Sequence, residues 1–179
     1  MEKRALIKFI LYPSIFFCII NTSYGQSIEA AKAEEKITTI KEYPFEDYKD
    51  WSIIKRGKKE YVFDYIKLNP PVRITIEVNR KKTIKRISYV FDGSLNITDI
   101  ESFNLEMDST SIVKCEIEGL YDFIKNAKIN QFHYIKEYGI YMFGFDEITV
   151  LYSPSIEASK MDRFKNYLQK NKNWYYYIN

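Results

Sequence analysis

Between Val72 and Asn79 the chain alternates without a fault: Val72, Ile74, Ile76 and Val78 fall on one side, and Arg73, Thr75, Glu77 and Asn79 on the other. Side chains of a strand change face at every residue, so this stretch predicts a half-buried strand with one polar face. The basic turn Arg80-Lys81-Lys82 leads into residues 83–91, where Ile87, Tyr89 and Phe91 share a face, and Asp92-Gly93-Ser94 ends the run. Together the two segments predict an antiparallel hairpin. One apolar face and one polar face imply a sheet covered on one side.

Other segments supply the remaining strands. Residues 60–68 are dense in β-branched and aromatic side chains and stop at Asn69-Pro70-Pro71. Residues 131–138 and 140–145 read as strands around Gly139. Asp146-Glu147 is a turn and 148–152 another strand. The tail Trp174-Tyr175-Tyr176-Tyr177-Ile178 is apolar enough to order itself only by burial, so it is expected to dock as the last strand.

Helices are fewer. Residues 26–42 carry good helix formers behind a Ser27 cap, with a thin stripe of Ile28, Ala31, Ile37 and Ile40. Pro44 argues against helix through the aromatic, charged stretch that follows, from which Trp51, Ile53 and Ile54 are expected to reach the core. Ser153-Pro154-Ser155 opens an expected helix to about residue 170, with Ile156, Met161, Phe164 and Leu168 roughly helically spaced. Residues 95–127 admit two descriptions. As strands, Phe103, Leu105 and Met107 alternate, then Val113, Cys115 and Ile117, before a short helix near Gly119 with Leu120, Phe123, Ile124 and Ala127. As one helix, Val113, Ile117, Leu120, Ile124 and Ala127 form its stripe, with Gly119 costing about 1 kcal/mol in its middle. The strands account for more residues. The fold class expected is α+β: an antiparallel β-sheet with helices packed on one face, in a single domain.

The first residues have the form of an export signal. Lys3, Arg4 and Lys8 precede an apolar run of 12 residues, 9–20, and Ser23-Tyr24-Gly25 offers a small-x-small cleavage site. A spanning helix needs about 20 apolar residues, more than this run has. Cys18 follows Phe17 rather than a small residue, against lipidation. The expected organisation is a cleaved signal peptide at 1–25, an N-terminal helix or leader at 26–42 and a globular domain at 43–179, with no transmembrane segment in the mature chain and a periplasmic or secreted, bacterial address. Without the signal, 154 of the 179 residues remain, enough for one core that buries about 70% of the unfolded surface.

Cleavage also changes the charge. Losing three of 27 Lys+Arg and one of 24 Asp+Glu leaves a nearly neutral domain. A nucleic-acid partner would want a strong positive field, and none is expected. Cys115 is then the one cysteine left and His133 the one histidine, so neither an internal disulfide nor a multi-histidine metal site is expected.

No nucleotide loop, dinucleotide fingerprint, serine elbow or zinc helix motif occurs, so no cofactor is expected. Cys115 with His133 is the one thiol–imidazole pair available for nucleophilic chemistry, and Asp146 with Glu147 a conceivable carboxylate pair for an envelope hydrolase. The basic clusters Lys55-Arg56-Lys58-Lys59 and Arg80-Lys81-Lys82 with Lys85-Arg86 suit soluble turns and edges. The unusual feature is aromatic content: 16 Tyr, 12 Phe and 2 Trp. Such rings offer flat apolar faces with a polar handle. The sequence therefore points to a non-catalytic exported binding protein, recognising a protein or cell-envelope component through an aromatic sheet surface, with Tyr141, Phe143, Trp174 and Tyr176 as candidate binding residues. An envelope hydrolase or a small-ligand carrier is the alternative.

Overall fold

The computed structural model describes residues 28–67, 72–91, 94–99, 101–103 and 117–179. The signal segment, the Asn69-Pro70-Pro71 stop, Asp92-Gly93 and residues 104–116, Cys115 among them, lie outside these. Among the described residues, ten strands form one sheet in which every pairing is antiparallel. They are β1 (Trp51–Arg56), β2 (Glu60–Tyr65), β3 (Val72–Val78), β4 (Ile84–Phe91), β5 (Ser94–Thr98), β6 (Gln131–Ile135), β7 (Ile140–Gly144), β8 (Ile148–Tyr152), β9 (Leu168–Asn171) and β10 (Trp174–Ile178). Their spatial order is β5-β4-β3-β2-β1-β6-β7-β8-β10-β9. The chain thus runs outward from β1 to one edge, crosses back, and runs outward again from β6. The two meanders join where Ser52, Ile53 and Ile54 pair with His133, Phe132 and Gln131.

The predicted hairpin is β3–β4, with Ile74 opposite Tyr89 and Ile76 opposite Ile87. All four side chains are buried, as is Val78. Two α-helices lie over this face. Helix α1 (28–41) presents Ala33, Ile37 and Ile40, spaced i, i+4, i+7; helix α2 (Ile117–Asn126) presents Ile117, Leu120, Phe123 and Ile124. They share one core with Ile53, Phe63, Phe132, Phe143 and Val150. The stripe on α1 includes Ala33 rather than Ala31, and Ile28 is 44% exposed.

Three expectations need correction. Ile54 is 44% exposed although Ile53 is fully buried, because 51–56 is a strand and its neighbours face opposite ways. Phe103 is helical, within 101–103, and Ile117 lies in α2 rather than closing a strand. No α-helix spans 155–170: two short 3₁₀ turns, Ala158–Lys160 and Asp162–Phe164, lead straight into β9. Ala158, Met161, Phe164 and Tyr167 recur every third residue, which is the 3₁₀ period rather than the α period.

That 3₁₀ strap places a second, smaller core on the opposite face. Ala158 and Phe164 join Ile135, Ile140, Leu151 and Tyr175, with Met161 and Tyr167 packed against them. Val150 and Leu151 are consequently both fully buried although they face opposite ways. The helices do sit on one face, yet the β6–β10 half of the sheet is covered on both. Among the described residues nothing comparable covers the second face of the β1–β5 half, which is laced by Arg73 bidentate on Asp64 (2.7 and 2.8 Å) and by Arg86 on Glu77.

Candidate functional site

A row of aromatic residues crosses six neighbouring strands at one end of the sheet. Tyr65 pairs with Trp51, and the Ser52–His133 pair sets Trp51 beside Tyr134. Tyr134 then pairs with Tyr141, Tyr141 with Tyr152, and Tyr152 with Trp174. Ring centroids are 5.0 Å apart for Trp51–Tyr65, 4.6 Å for Tyr134–Tyr141, 6.1 Å for Tyr141–Tyr152 and 4.7 Å for Tyr152–Trp174. Phe45, in the 3₁₀ turn Phe45–Tyr48 that follows Pro44, meets Tyr141, Tyr152 and Trp174 edge-on at 5.4, 5.3 and 5.9 Å. Lys41 lies over the Trp174 ring at 5.6 Å.

Charge divides the row. Beside Tyr141 and Tyr152 stand the carboxylates of Glu46 and Asp47. The Tyr141 phenol is pushed up to about 12, first by burial and then by Tyr134, Glu46, Tyr152 and Asp47. Tyr152 is raised by burial and then by Glu46. At Tyr134 the sign reverses. A groove of about 450 Å³ opens there, lined by Lys49, Asp50, Ile66, Lys67, Tyr134 and Lys136. Lys67 reaches to 3.8 Å from Asp50. The groove carries three ammonium groups against one carboxylate, with Tyr134 half-buried and Ile66 as apolar lining.

The four residues singled out in the sequence are placed otherwise. Tyr141 (7% exposed), Phe143 (0%), Trp174 (4%) and Tyr176 (5%) are all buried beneath the helical layer. Tyr141 and Trp174 belong to the row but build its closed part, while Phe143 and Tyr176 are core. The accessible members are Tyr65, Tyr134 and Tyr152, all half-buried.

The two carboxylates considered for catalysis are each engaged separately. Asn130 Nδ2 donates to Asp146 Oδ1 at 2.6 Å, and Lys32 Nζ donates to Glu147 Oε2 at 2.6 Å. The Lys32 hydrogen bond and charge hold the Glu147 carboxyl below its usual range, the opposite of what a general acid requires. A smaller cleft of about 270 Å³ between α1 and the β7–β8 turn includes both acids, with Lys32 and Lys36 beside them. His133 faces the strap, where burial first and Arg163 second lower its pKa. Among the described residues no group of three or more His, Cys, Asp and Glu converges on a point that would hold a metal. None of their helices is long and apolar enough to cross a membrane.

Of the basic clusters, Lys55 reaches Asn130 at 3.2 Å, and Arg86 is held by Glu77. Lys82 sits in the left-handed region, and its carbonyl accepts from the Tyr121 hydroxyl at 2.9 Å. The groove residues Lys49, Ile66, Lys67, Tyr134 and Lys136 come from three strand ends. The pairing of β1 with β6 brings these ends together across some 80 residues of sequence, and no local motif signals it. No protein-family model, curated protein or solved structure matches the chain.

Proposed function

We propose that this chain is an exported, non-catalytic binding protein of α+β class, which recognises a cell-envelope component through the groove at Tyr134. The observation that carries this reading is the groove itself: an accessible tyrosine ring and Ile66 ringed by Lys49, Lys67 and Lys136. The export segment expected at 1–25 supplies the address, and a lysine-lined groove suits an anionic group borne by an envelope component. The rigid aromatic row behind Tyr134 supports it too, because a preorganised ring loses little conformational freedom when a ligand arrives. A hydrolase gains no support from Asp146 and Glu147, whose separate partners leave no shared proton between them.

The test is amide chemical-shift mapping of the purified protein against solubilised envelope polysaccharide. Shifts concentrated at Lys49–Asp50, Ile66–Lys67 and Tyr134–Lys136 support the groove. Shifts confined to the α1 cleft at Lys32 and Glu147, or none at saturating polymer, contradict it.

A further inference from the structure

The groove's charges are arranged for one anion rather than many. Lys49, Lys67 and Lys136 gather at Tyr134, but Glu46 and Asp47 stand further along the same row, close enough to raise Tyr141. A ligand with a run of negative charge, such as an acidic peptide or a polyphosphate, would drive its second and third charges against those carboxylates. Within the groove Asp50 adds a further acceptor, poorly placed for a polyanion and well placed for hydroxyl donors. Tyr134 already packs at a tilt against Tyr141, with centroids 4.6 Å apart, so a flat-faced ligand meets a ring braced by its neighbour. Ring, hydroxyl acceptor and a localised positive patch together match a sugar that bears a single carboxylate.

Resting on the binding function proposed above, we infer that the groove takes one carboxylated sugar unit of an envelope polysaccharide. The carboxylate lies among Lys49, Lys67 and Lys136, the pyranose face rests on Tyr134, and ring hydroxyls donate to Asp50.

Titration calorimetry of the purified protein with three defined probes tests this: a disaccharide of one glucuronic acid and one galactose, the neutral disaccharide cellobiose, and triglutamate. The acidic disaccharide is expected to bind about tenfold or more tighter than cellobiose, the ratio expected from one well-placed charge-assisted hydrogen bond. Triglutamate is expected to bind no better than cellobiose. Tyr134→Phe should keep the affinity, Tyr134→Ala should lose about tenfold, and Asp50→Asn should weaken the disaccharide while strengthening triglutamate. Triglutamate binding as well as the acidic disaccharide overturns the sugar assignment and leaves the groove standing. Binding of the disaccharide unaffected by Tyr134→Ala and Lys136→Gln overturns the assignment to this groove. Absence of heat and of amide shifts at the groove with all three probes overturns the assignment, and the binding function falls with it only when solubilised envelope polysaccharide also leaves the groove amides unmoved.

Discussion

Phe45 packs edge-on against Trp174 at 5.9 Å, and through that contact the turn after α1 closes one end of the sheet. The same ring touches Tyr141, Phe143 and Tyr152, residues of β7 and β8, so one side chain ties three strands to the helical layer. Phe45→Ala removes all four contacts and leaves a cavity. The expected loss is about 3–5 kcal/mol by urea unfolding, and Phe45→Leu should lose less than half as much. Near-neutrality of the alanine variant would mean that this turn does not rest on the row.

Ile53 and Ile54 are neighbours with opposite fates. Ile53→Ala should cost about 2–5 kcal/mol, whereas Ile54→Thr should stay within about 0.5 kcal/mol. Comparable losses at both positions would contradict the register of β1 against β2 and β6.

His133 is the sole histidine, so its titration can be followed by NMR without assignment ambiguity. Burial and then Arg163 hold its pKa below the ordinary 6.5. The unfolded chain therefore takes up the proton first as pH falls through 6.5. Stability contributed by the neutral imidazole is present above that value, declines as pH drops toward the lower folded-state value, and levels off beneath it. Arg163→Gln should raise the folded-state midpoint. A wild-type midpoint at or above 6.5 would show that the strap does not cover this ring.

Lys128 closes α2 with φ near +56°, and the Ile129 amide donates back to the Ile124 carbonyl at 3.0 Å. That is the left-handed C-terminal cap a glycine usually fills. Lys128→Gly should relieve backbone strain and stabilise the fold by up to about 1 kcal/mol, read as a higher midpoint in thermal unfolding. Lys128→Val should do the reverse.

Much of the fold is legible in the sequence because period two is a local property. The alternation at 72–79 places Ile74, Ile76 and Val78 inward, the strands read at 131–138 and 140–145 form as β6 and β7, and the aromatic tail docks as β10. What misleads is period three. Ile156, Met161, Phe164 and Leu168 resemble a loosely spaced α-helix, when the residues that pack are Ala158, Met161, Phe164 and Tyr167, at the spacing of a 3₁₀ strap. Strand β5 is also missed, since Asp92-Gly93-Ser94 reads as an end in the sequence, whereas Ser94 opens a strand paired with β4. The site is hidden for a different reason. Aromatic composition shows that rings are abundant, but which of them stay accessible depends on the β1–β6 pairing and on where Phe45 lands. Tyr141 and Trp174 are therefore singled out from the sequence although both are buried, while the accessible Tyr134 and its lysines are not.

The most direct test of the central claim, that the Tyr134 groove is the binding surface, is co-sedimentation with the isolated envelope of the producing cell. Wild type should be retained. The triple variant Lys49→Gln, Lys67→Gln, Lys136→Gln should be released, and a control with Lys58, Lys81 and Lys85 changed to Gln should behave as wild type. Equal release of both triple variants would reduce the attraction to general charge. Undiminished retention of the groove variant would contradict the account.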